Sequence, residues 1–489
     1  MMSLQKIKSL FNLNLPSRYF IVLAFAIYFL VLLLNDGFMA LDEYWVGITR
    51  YIPAQSSSLQ NLVTSDDVKS PLQMMPMFAV SQIAYKLGIE SPYWQYRSVI
   101  YVLGALSFIL TLFSFLKWAQ LEALNTREKN LLLLMLCFYF AAPFSLTRPM
   151  YESVAAPWLT LAAVWGTRYD RTEKAHDLLW AVFFVSMAFV LRQQLGFCAL
   201  GLLAIVALKK RWADFFKASA LGIVIFILSG IPDYFLRGKF HFSLLNLTVY
   251  NYQHGADYGR KPISFYPLMI FLMCLTPFFL KKYPLDFLKK SFQKTRVLWI
   301  FLGLFVFLHS LFPQKWERFL ISVVPILILI VFPFLKYLQF EFEKNRWRLQ
   351  SLYFINGVLF FVASFFPPQK NLIEMSLYLD QHPEVRQIYR VNDTPGWITE
   401  AFIRNHQNQP IQWIESDLTT LAQVDWSNCA NQLVLGANSL EAYQSITANL
   451  HQRGEFNVNL IEQLAYKLNP KNNTRRVRLF LFSGCDVSF

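Results

Sequence analysis

Residues 19–34 read YFIVLAFAIYFLVLLL, a run of sixteen residues without a charged side chain. This run approaches the length of about 20 residues that an α-helix needs to cross the hydrocarbon core of a bilayer. Lys6, Lys8 and Arg18 precede it. We interpret it as an uncleaved first membrane-spanning helix rather than a signal peptide, because no small-residue cleavage site follows Leu34 and many more apolar runs do.

Further apolar runs of similar length continue along two thirds of the chain. Together with the first they occupy residues 19–34, 96–118, 131–147, 151–165, 178–191, 196–208, 215–231, 265–280, 297–312, 320–335 and 352–366. The pattern predicts an α-helical polytopic membrane protein with about eleven transmembrane helices in residues 1–366.

The composition supports a membrane protein over a soluble one. Of the 489 residues, 55% are hydrophobic and only 16% are charged, whereas soluble domains carry about a quarter charged residues. A formal net charge of +14 would favour nucleic-acid binding in a soluble protein. Here the basic residues lie in short clusters between apolar runs, so we interpret them as topology signals and expect no nucleic-acid partner.

The basic clusters test the map of spans. If the N-terminus is cytoplasmic, every second connection returns to the cytoplasm, and these connections carry the basic clusters. The clusters lie within residues 117–129, 168–174, 209–217, 281–296 and 336–348. This alternation predicts that the segment after residue 366 lies outside the cytoplasm.

Residues 367–489 differ in composition and are rich in Asn, Gln, Asp and Glu. EVRQIYRV, QLVLGA and RRVRLFLFSG are typical of strands, and NLIEMSLYLDQH and SLEAYQSITANLHQ are typical of amphipathic helices. We therefore predict a small extracytoplasmic α/β domain over residues 367–489. It contains Cys429 and Cys485, for which we predict a disulfide because the compartment is oxidising, although spacing alone does not establish their proximity.

The long first external loop, residues 35–95, contains an acidic pair and a second helical pattern. Asp42 and Glu43, in GFMALDEYW, follow the first span closely. They fit a solvated loop or a helix N-cap, or a general base at the membrane surface that takes a proton from a sugar hydroxyl. The stretch KSPLQMMPMFAVSQIAYKLG fits an amphipathic helix in the interface, which either lines a lipid groove or only packs.

Arginines mark the outer ends of two helical hairpins. Arg148 lies in LTRPMYES between the third and fourth runs, where a charge is usually a surface or snorkelling residue. Arg192, in FVLRQQLGF, interrupts an apolar stretch. It marks either a short loop or a functional residue at membrane depth.

Two later loops offer groups suited to a sugar phosphate. In residues 230–266, aromatic and amide side chains fit either a sugar site, because rings stack on pyranose faces, or an interfacial aromatic belt. The candidates for substrate binding are Asp233, Asn246, Tyr250, Tyr252, His254 and Tyr258, of which the last four are expected to cover or line the sugar site. Lys315 and Arg318, in PQKWERF, fit either phosphate binding or a common interfacial pattern.

The order of LDE, LTRPMYES, GIPDYFLRGKFHFSLLNLTVYN and PQKWERFLISVVPIL along residues 37–335 resembles glycosyltransferase family 22. That family has the C-type membrane glycosyltransferase fold and includes α-mannosyltransferases that extend lipid-linked glycans. Leu41 stands where the family has Pro, and Gln314 and Trp316 stand where it has His and Glu.

The resemblance implies transfer of a hexose, with mannose as the expected sugar, from a polyprenyl-phosphate-sugar donor to a glycan or lipid-linked acceptor, with inversion. Asp42 or Glu43 would be catalytic, with Asp42 as the base. The donor phosphate would be neutralised by Arg148, Arg192, Lys315 and Arg318. The scheme requires no cofactor, and no cluster of residues demands a metal.

We place the active site on the non-cytoplasmic face of an integral, multi-pass protein in contact with membrane lipid. This is the periplasmic face of a bacterial inner membrane, or the lumenal face of the ER membrane if the protein is eukaryotic. A polytopic transporter or lipid flippase of envelope glycan assembly is the main alternative. A non-enzymatic assembly protein whose tail binds a partner is a third hypothesis.

Overall fold

The protein consists of two compact units in a computed structural model that describes residues 13–38, 43, 68–257, 259–275, 283–391, 402–403, 411–470, 473 and 476–485. One unit contains most of the apolar helices, and the other contains a sheet. The first unit comprises Met1–Leu33, Ser57–Ala79 and Val99–Ser364, and the second comprises Leu34–Ser56, Val80–Ser98 and Phe365–Phe489.

Helices dominate the described part of the chain before the sheet. They are α1 Ser17–Leu34, α2 Pro71–Lys86, α3 Pro92–Leu121, α4 Thr126–Phe138, α5 Ala142–Leu146, α6 Tyr151–Thr172, α7 Ala175–Leu191, α8 Cys198–Leu208, α9 Trp212–Arg237, α10 Phe242–His254, α11 Phe265–Met273, α12 Leu285–Lys294, α13 Arg296–Leu311, α14 Val324–Phe340 and α15 Phe342–Phe365. Two 3₁₀ helices, Gln193–Phe197 and Glu317–Val323, precede α8 and α14.

The helical membrane architecture predicted from the sequence is confirmed. Each of the eleven apolar runs falls on one or more of these helices. Within the described residues, five helices are long and apolar enough to cross a bilayer, and α12 with α13, which meet at 78°, is a sixth if the bent pair forms one span. Several other runs form shorter helices, so the number of crossings is not fixed at eleven. The helix predicted in the first external loop is also present, as α2.

Local sequence signals explain where several helices begin and end. The side chain of Asn125 accepts a hydrogen bond from the Glu128 backbone N–H at 3.0 Å, and the Asn125 N–H donates to the Glu128 carboxylate at 3.3 Å. This capping box starts α4. At the other end of the bundle, α9 ends at Gly238, whose φ of 72° lies in the left-handed region that glycine adopts without steric cost.

Ion pairs gather the basic connections at one end of the first unit, which we call the basic end. Arg171 and Lys294 both pair with Glu122, and Lys209 lies 3.5 Å from Asp170, which also pairs with Arg296. A further pair joins Lys336 in α14 to Glu128 in α4 at 2.5 Å. The cations of these pairs are 21–61% exposed and the carboxylates 9–15% exposed. The pairs show that loops far apart in sequence meet on one side, as the alternation of charge predicted.

The first and last membrane helices run in the same direction. The carbonyls of Leu13 and Leu15, just before α1, accept hydrogen bonds from Asn130 in α4, so α1 starts at the basic end. Beyond the other ends of α1 and α15, the Phe38 N–H donates to the Pro368 carbonyl at 2.8 Å. The chain segments that follow α1 and α15 are therefore hydrogen-bonded to each other.

The second unit contains a mixed five-stranded sheet. Its elements are α16 Lys370–Gln381, β1 Gln387–Arg390, β2 Gln412–Glu415, α17 Leu418–Leu421, β3 Asn431–Gly436, α18 Gln444–Thr447, β4 His451–Phe456, α19 Leu460–Leu468 and β5 Leu479–Ser483. The strand order is β2-β1-β3-β5-β4. β1 is parallel to β2 and β3, and β5 is antiparallel to β3 and β4.

Both faces of the sheet are covered. Leu479 and Leu481 of β5 pack in a core with Leu372 and Met375 of α16. Phe480 and Phe482 point to the opposite face, because successive strand residues alternate sides. There they pack with buried and partly buried side chains that include Leu421 of α17 and Tyr443 and Ile446 beside or within α18. The sheet therefore separates α16 from α17 and α18.

Most predicted elements of the tail are confirmed, but one helix is wrong. The three predicted strands correspond to β1, β3 and β5, and the first predicted helix corresponds to α16. The stretch at 439–452 forms only the single turn α18 before entering β4. Its apolar residues have helical spacing, but polar side chains compete for the backbone: the Thr447 hydroxyl donates to the Tyr443 carbonyl. Its last residues also gain a strand partner in β5.

The predicted disulfide between Cys429 and Cys485 is confirmed. The two Cα atoms are 5.4 Å apart and the sulfur atoms are bonded. The bond joins the residue after β5 and Gly484 to the turn before β3. It therefore fixes two strands that also pair with each other.

Candidate active site

Arg192 forms a buried ion pair at the end of the first unit opposite the basic end. It follows the last residue of α7, and its extended backbone leads into the 3₁₀ helix Gln193–Phe197. Its guanidinium lies 2.9 Å from the Glu152 carboxylate, and the two side chains are 8% and 6% exposed. Glu152 lies in the first turn of α6. A carboxylate at a helix N-terminus and a cation at a C-terminus both interact favourably with the helix dipoles.

An aromatic ring holds the same guanidinium from a second direction. The Arg192 guanidinium carbon is 4.6 Å from the centroid of the Phe319 ring, and Arg318 lies over that ring at 5.2 Å. The 3₁₀ helix Glu317–Val323 presents Phe319, and the Ser322 hydroxyl donates to the Glu152 backbone carbonyl at 3.5 Å. Two cations thus share one ring, which stabilises each by cation–π attraction.

His309 lies in the last turn of α13 beside this group. It is 7% exposed. Its ring stacks on Phe305 at 4.0 Å and lies 6.0 Å from Tyr266 and 6.1 Å from Phe319. Nδ1 is 2.9 Å from the Phe305 carbonyl oxygen, which can only accept a hydrogen bond. Nδ1 therefore carries the hydrogen, and in the neutral ring Nε2 is an acceptor.

No hydrogen-bond partner contacts His309 Nε2 among the residues that the structure describes, although the atom is buried. Buried polar atoms are satisfied in most proteins, so Nε2 is a candidate contact for a substrate. His309 was not among the site residues predicted from the sequence. The rule that identified Arg192, an ionisable residue in an apolar run, applies to it equally.

Lys315 lies in the connection between α13 and the 3₁₀ helix and is 3% exposed. Its ammonium donates to the carbonyls of Lys261 at 3.1 Å and Phe312 at 2.5 Å. Burial lowers the pKa of this ammonium from its ordinary value. Since an ammonium has three donors, the two carbonyls leave capacity for one further acceptor. The Lys261 side chain pairs with Glu317 at 2.9 Å.

Asp233 is engaged by protein groups through both of its oxygens. One oxygen accepts from Arg237 at 2.9 Å, and the other accepts from the Ser243 N–H at 3.1 Å and hydroxyl at 2.5 Å. Arg237 also donates to the Lys69 carbonyl. Asp233 is 1% exposed. These contacts tie the end of α9 to the start of α10 and to the segment before α2. Asp233 also borders a small cleft lined by Ser70, Leu72, Phe189, Val190, Gln193, Ser229, His241 and Ser243.

The other candidate residues of the large loop lie on or after α10. Asn246 and Tyr250 are half-buried, while Tyr252 is 91% exposed. His254 lies 2.8 Å from Asp257 and packs its ring 4.9 Å from that of Tyr250. Tyr258 lies outside the described residues.

Arg148 lies between α5 and α6 and is 1% exposed. A guanidinium so deeply buried must be held by protein groups, because an isolated buried charge is too costly. Its place in the chain, four residues before Glu152, puts it at the same end of α6 as the Arg192 ion pair.

Of the two catalytic candidates, Glu43 lies in the second unit, and Asp42 is outside the described residues. Glu43 is 2% exposed and accepts a hydrogen bond from the Tyr96 hydroxyl at 3.2 Å. The ring of Tyr96 lies 5.9 Å from Phe38 and 5.6 Å from Phe402. Glu43 is therefore held in an aromatic environment.

In the described residues, no three His, Cys, Asp or Glu side chains lie close enough together to hold a metal ion. Of the phosphate-binding candidates, the structure brings Arg192 and Arg318 together on one ring, and it places Lys315 three residues before Arg318 with its ammonium anchored. Glu152, Tyr266 and His309 were not among the predicted site residues, yet each contacts this group. The sequence indicates that α6 and α7 form a hairpin, but not that α13 and the 3₁₀ helix Glu317–Val323 join them at this point, because those contacts are between segments far apart in the chain.

Comparisons with known proteins agree on fold and family. No curated protein matches the chain. Two solved structures of ArnT from Cupriavidus metallidurans are similar. The apo structure has a TM-score of 0.57 at 12% identity and covers 96% of this chain and 97% of its own. The structure bound to undecaprenyl phosphate has a TM-score of 0.55 at 12% identity, with 96% and 98% covered.

These matches confirm the C-type membrane glycosyltransferase fold that the sequence resemblance implied. At this identity they show the fold alone. The family model of the Alg9-like mannosyltransferases matches residues 64–395, more than half of the chain. The matched range contains α2 to α16 and the Arg192 ion pair. The chain is therefore a multi-pass membrane glycosyltransferase that belongs to the Alg9-like mannosyltransferase family.

Proposed function

We propose that this protein transfers a hexose, mannose in the first instance, from a polyprenyl-phosphate-sugar donor to a glycan or lipid-linked acceptor, with inversion. The observation that carries the proposal is the Arg192 group: a buried guanidinium at a helix break, with Arg318 on the same ring. The protein's membership of the Alg9-like mannosyltransferase family supports a sugar donor of this kind. The similar ArnT structure was solved with undecaprenyl phosphate, a ligand that contains the same phosphate and polyprenyl groups.

The chemistry of the donor explains why cations would be needed. A polyprenyl-phosphate-sugar is a phosphodiester with one negative charge, and breaking the sugar–oxygen bond leaves a phosphate monoester with a second charge developing. Preorganised donors aimed at this charge stabilise the transition state more than the ground state. Arg192 and Arg318 offer planar, permanently charged donors. The anchored ammonium of Lys315 is a third candidate, and Arg148 is a fourth.

Glu152 and Phe319 would fix the orientation of Arg192. The carboxylate engages one edge of the guanidinium, and the ring supports its face. A guanidinium carries five N–H donors in a planar fork, a geometry that also suits a phosphate. His309 Nε2, an acceptor in the neutral ring, would receive a hydrogen bond from a sugar hydroxyl.

We assign Asp42 as the general base that takes the proton from the acceptor hydroxyl. Glu43 is buried and hydrogen-bonded to Tyr96, which suits a positioning role better than proton transfer to a bound acceptor. Since adjacent residues of a helix or strand point in different directions, only one of the pair can face the acceptor.

The active face is proposed to be non-cytoplasmic. The basic clusters meet at the end opposite Arg192, and such clusters mark the cytoplasmic side. The Cys429–Cys485 disulfide belongs to the unit that follows the exit of α1 and α15, and disulfides persist in oxidising compartments. Both observations support a periplasmic or lumenal site.

The test is transfer of radiolabelled mannose from synthetic polyprenyl-phosphate-mannose by the purified protein, with a lipid and glycan extract of the native envelope as acceptor. Asp42→Asn keeps the shape of the side chain but cannot accept a proton, and loss of a general base costs about 10²–10⁴-fold in rate. We expect that loss for D42N, and a milder one for Glu43→Gln. Normal turnover by D42N with a dead E43Q would overturn the assignment of the base. Translocation of the donor by wild-type protein without transfer would favour a flippase.

A further inference from the structure

The helix α19 exposes the side chains that an amphipathic helix normally buries. Leu460, Leu464 and Leu468 are 70%, 53% and 77% exposed, and Ile461 is 38% exposed. Residues four apart lie on one face of a helix, so the leucines form a continuous stripe. The charged residue on this face is Lys467, and no carboxylate lies on it.

The opposite face of α19 carries its acidic residue inward. Glu462 is 3% exposed and accepts a hydrogen bond from the Gln369 N–H at 2.9 Å. Tyr466 packs against the core that contains Leu479 and Leu481. The helix is therefore firmly attached to the domain by a partly polar face, and the apolar stripe is turned outward.

The start of α19 is attached to the segment that leaves the last membrane helix. Asn459, the N-cap residue, donates from its side-chain amide to the Pro367 carbonyl at 3.0 Å. Pro367 lies two residues after the end of α15. The neighbouring Pro368 accepts from Phe38, which lies four residues after the end of α1. The segments that follow α1 and α15 are thus hydrogen-bonded to each other, and the segment after α15 is also hydrogen-bonded to the start of α19.

We propose that α19 lies on the surface of the lipid bilayer, with Leu460, Leu464 and Leu468 inserted between lipid headgroups. Its hydrogen bond to Pro367, two residues after the end of α15, ties it to chain that has just left a candidate span, which supports a place near the interface. A contiguous stripe of exposed apolar side chains on a domain surface is typical of an interaction site. An amphipathic helix of this type inserts its apolar face about 5–10 Å into the boundary between headgroups and acyl chains.

The charge of the stripe agrees with a lipid surface. Lys467 lies between Leu464 and Leu468 along this face. Its aliphatic stem can cover apolar surface while the ammonium reaches phosphate groups. Because the exposed face has no carboxylate, anionic headgroups meet no like charge there. The contact would hold the C-terminal domain at a fixed height above the bilayer.

The test uses the full chain in lipid vesicles, with Cys137, Cys198 and Cys274 replaced by alanine and the disulfide retained. A fluorescent maleimide is attached through Leu464→Cys, or through Gln444→Cys as the matched control. Gln444 is exposed in α18, on the opposite face of the sheet, so the two positions are separated by roughly two layers of about 10 Å each. Lipids that carry a nitroxide near the headgroup or deep in the acyl chain then quench the label.

We expect headgroup nitroxides to quench the L464C label several-fold more than the Q444C label, and deep nitroxides to quench it less than headgroup nitroxides. Equal quenching at the two positions would overturn the proposal, as would stronger quenching by deep nitroxides. Energy transfer between labelled copies without lipid quenching would show that a second copy covers the stripe, which also contradicts it.

A second variant excludes an effect of the label at a leucine position. The label is attached through Lys467→Cys, in chains with and without Leu464→Asp. The aspartate should reduce headgroup quenching several-fold. Unchanged quenching would show that the stripe does not insert. Correct folding of each chain is checked by its intact disulfide and its elution profile. Mannose transfer is not the readout, so this test does not depend on the proposed function.

Discussion

Glu152 and Arg192 form an ion pair inside a helical bundle, where burying either charge without the other is unfavourable. Removing one member of a buried pair costs about 3–5 kcal/mol because the other charge is left uncompensated. Removing both costs far less. The effect of this pair on stability can therefore be measured separately from its effect on activity.

At this site we predict that Arg192→Gln and Glu152→Gln each destabilise the protein, and that the double variant recovers most of the loss. The two amides can still bond to each other, whereas each single variant strands one charge. Thermal unfolding of the detergent-solubilised proteins measures the cycle. Additive losses in the double variant would show that the two side chains do not stabilise each other.

His309 is the second residue whose role can be isolated. We predict that His309→Phe keeps the stacking with Phe305 and an unchanged unfolding temperature, but lowers mannose transfer by up to about tenfold, since a hydrogen bond between neutral groups contributes about 0.5–1.5 kcal/mol. His309→Gln, which keeps an acceptor, should retain more activity than the phenylalanine variant. Equal activity of H309F and wild type would make Nε2 a structural feature only.

At the scale of elements, some features followed from local sequence and others did not. RRVRLFLFSG predicts a strand, and β5 is that strand, with both of its faces buried. The helix predicted at 439–452 failed because strand pairing with β5 outweighed a pattern of helical spacing. The strands β2 and β4 and the helix α19 were not predicted, since their sequences are short or polar and depend on neighbours supplied by the fold.

The disulfide gives a prediction at this scale. Cys429 and Cys485 are separated by 56 residues, and in the chain-entropy model closing a loop of that length stabilises the folded state by about 4 kcal/mol. We expect Cys429→Ser to increase hydrogen exchange in β3 and β5 while exchange in α6 and α7 stays unchanged. Faster exchange throughout the chain would show that the two units do not unfold separately.

At the scale of the whole molecule, the sequence predicted the class of fold because the bilayer imposes one strong rule. Apolar runs of nearly membrane length become helices, and charge alternation sorts their connections. The ion pairs at the basic end agree with that sorting. The candidate site was predictable only in part. Arg192 interrupts an apolar run and is visible in sequence, but its contact with Glu152 and Phe319 requires three distant segments to meet.

The orientation of the molecule can be tested directly. Lys289 is exposed in α12 near the basic end, and Gln444 is exposed in the C-terminal domain. We expect a membrane-impermeant maleimide to label Gln444→Cys in intact, outer-permeabilised cells and to label Lys289→Cys only after lysis. The reverse pattern would place the Arg192 end in the cytoplasm and overturn the proposed side of catalysis.

The most direct test of the central claim is single-turnover transfer of labelled mannose from synthetic polyprenyl-phosphate-mannose, comparing wild type with the E152Q/R192Q double variant. Because the double variant is expected to remain folded, its activity reports on the guanidinium rather than on stability. We predict that transfer falls by about 10²-fold or more, as when a preorganised donor to a developing anion is removed, and that the variant binds polyprenyl phosphate more weakly. Transfer at the wild-type rate by the folded double variant would contradict the account.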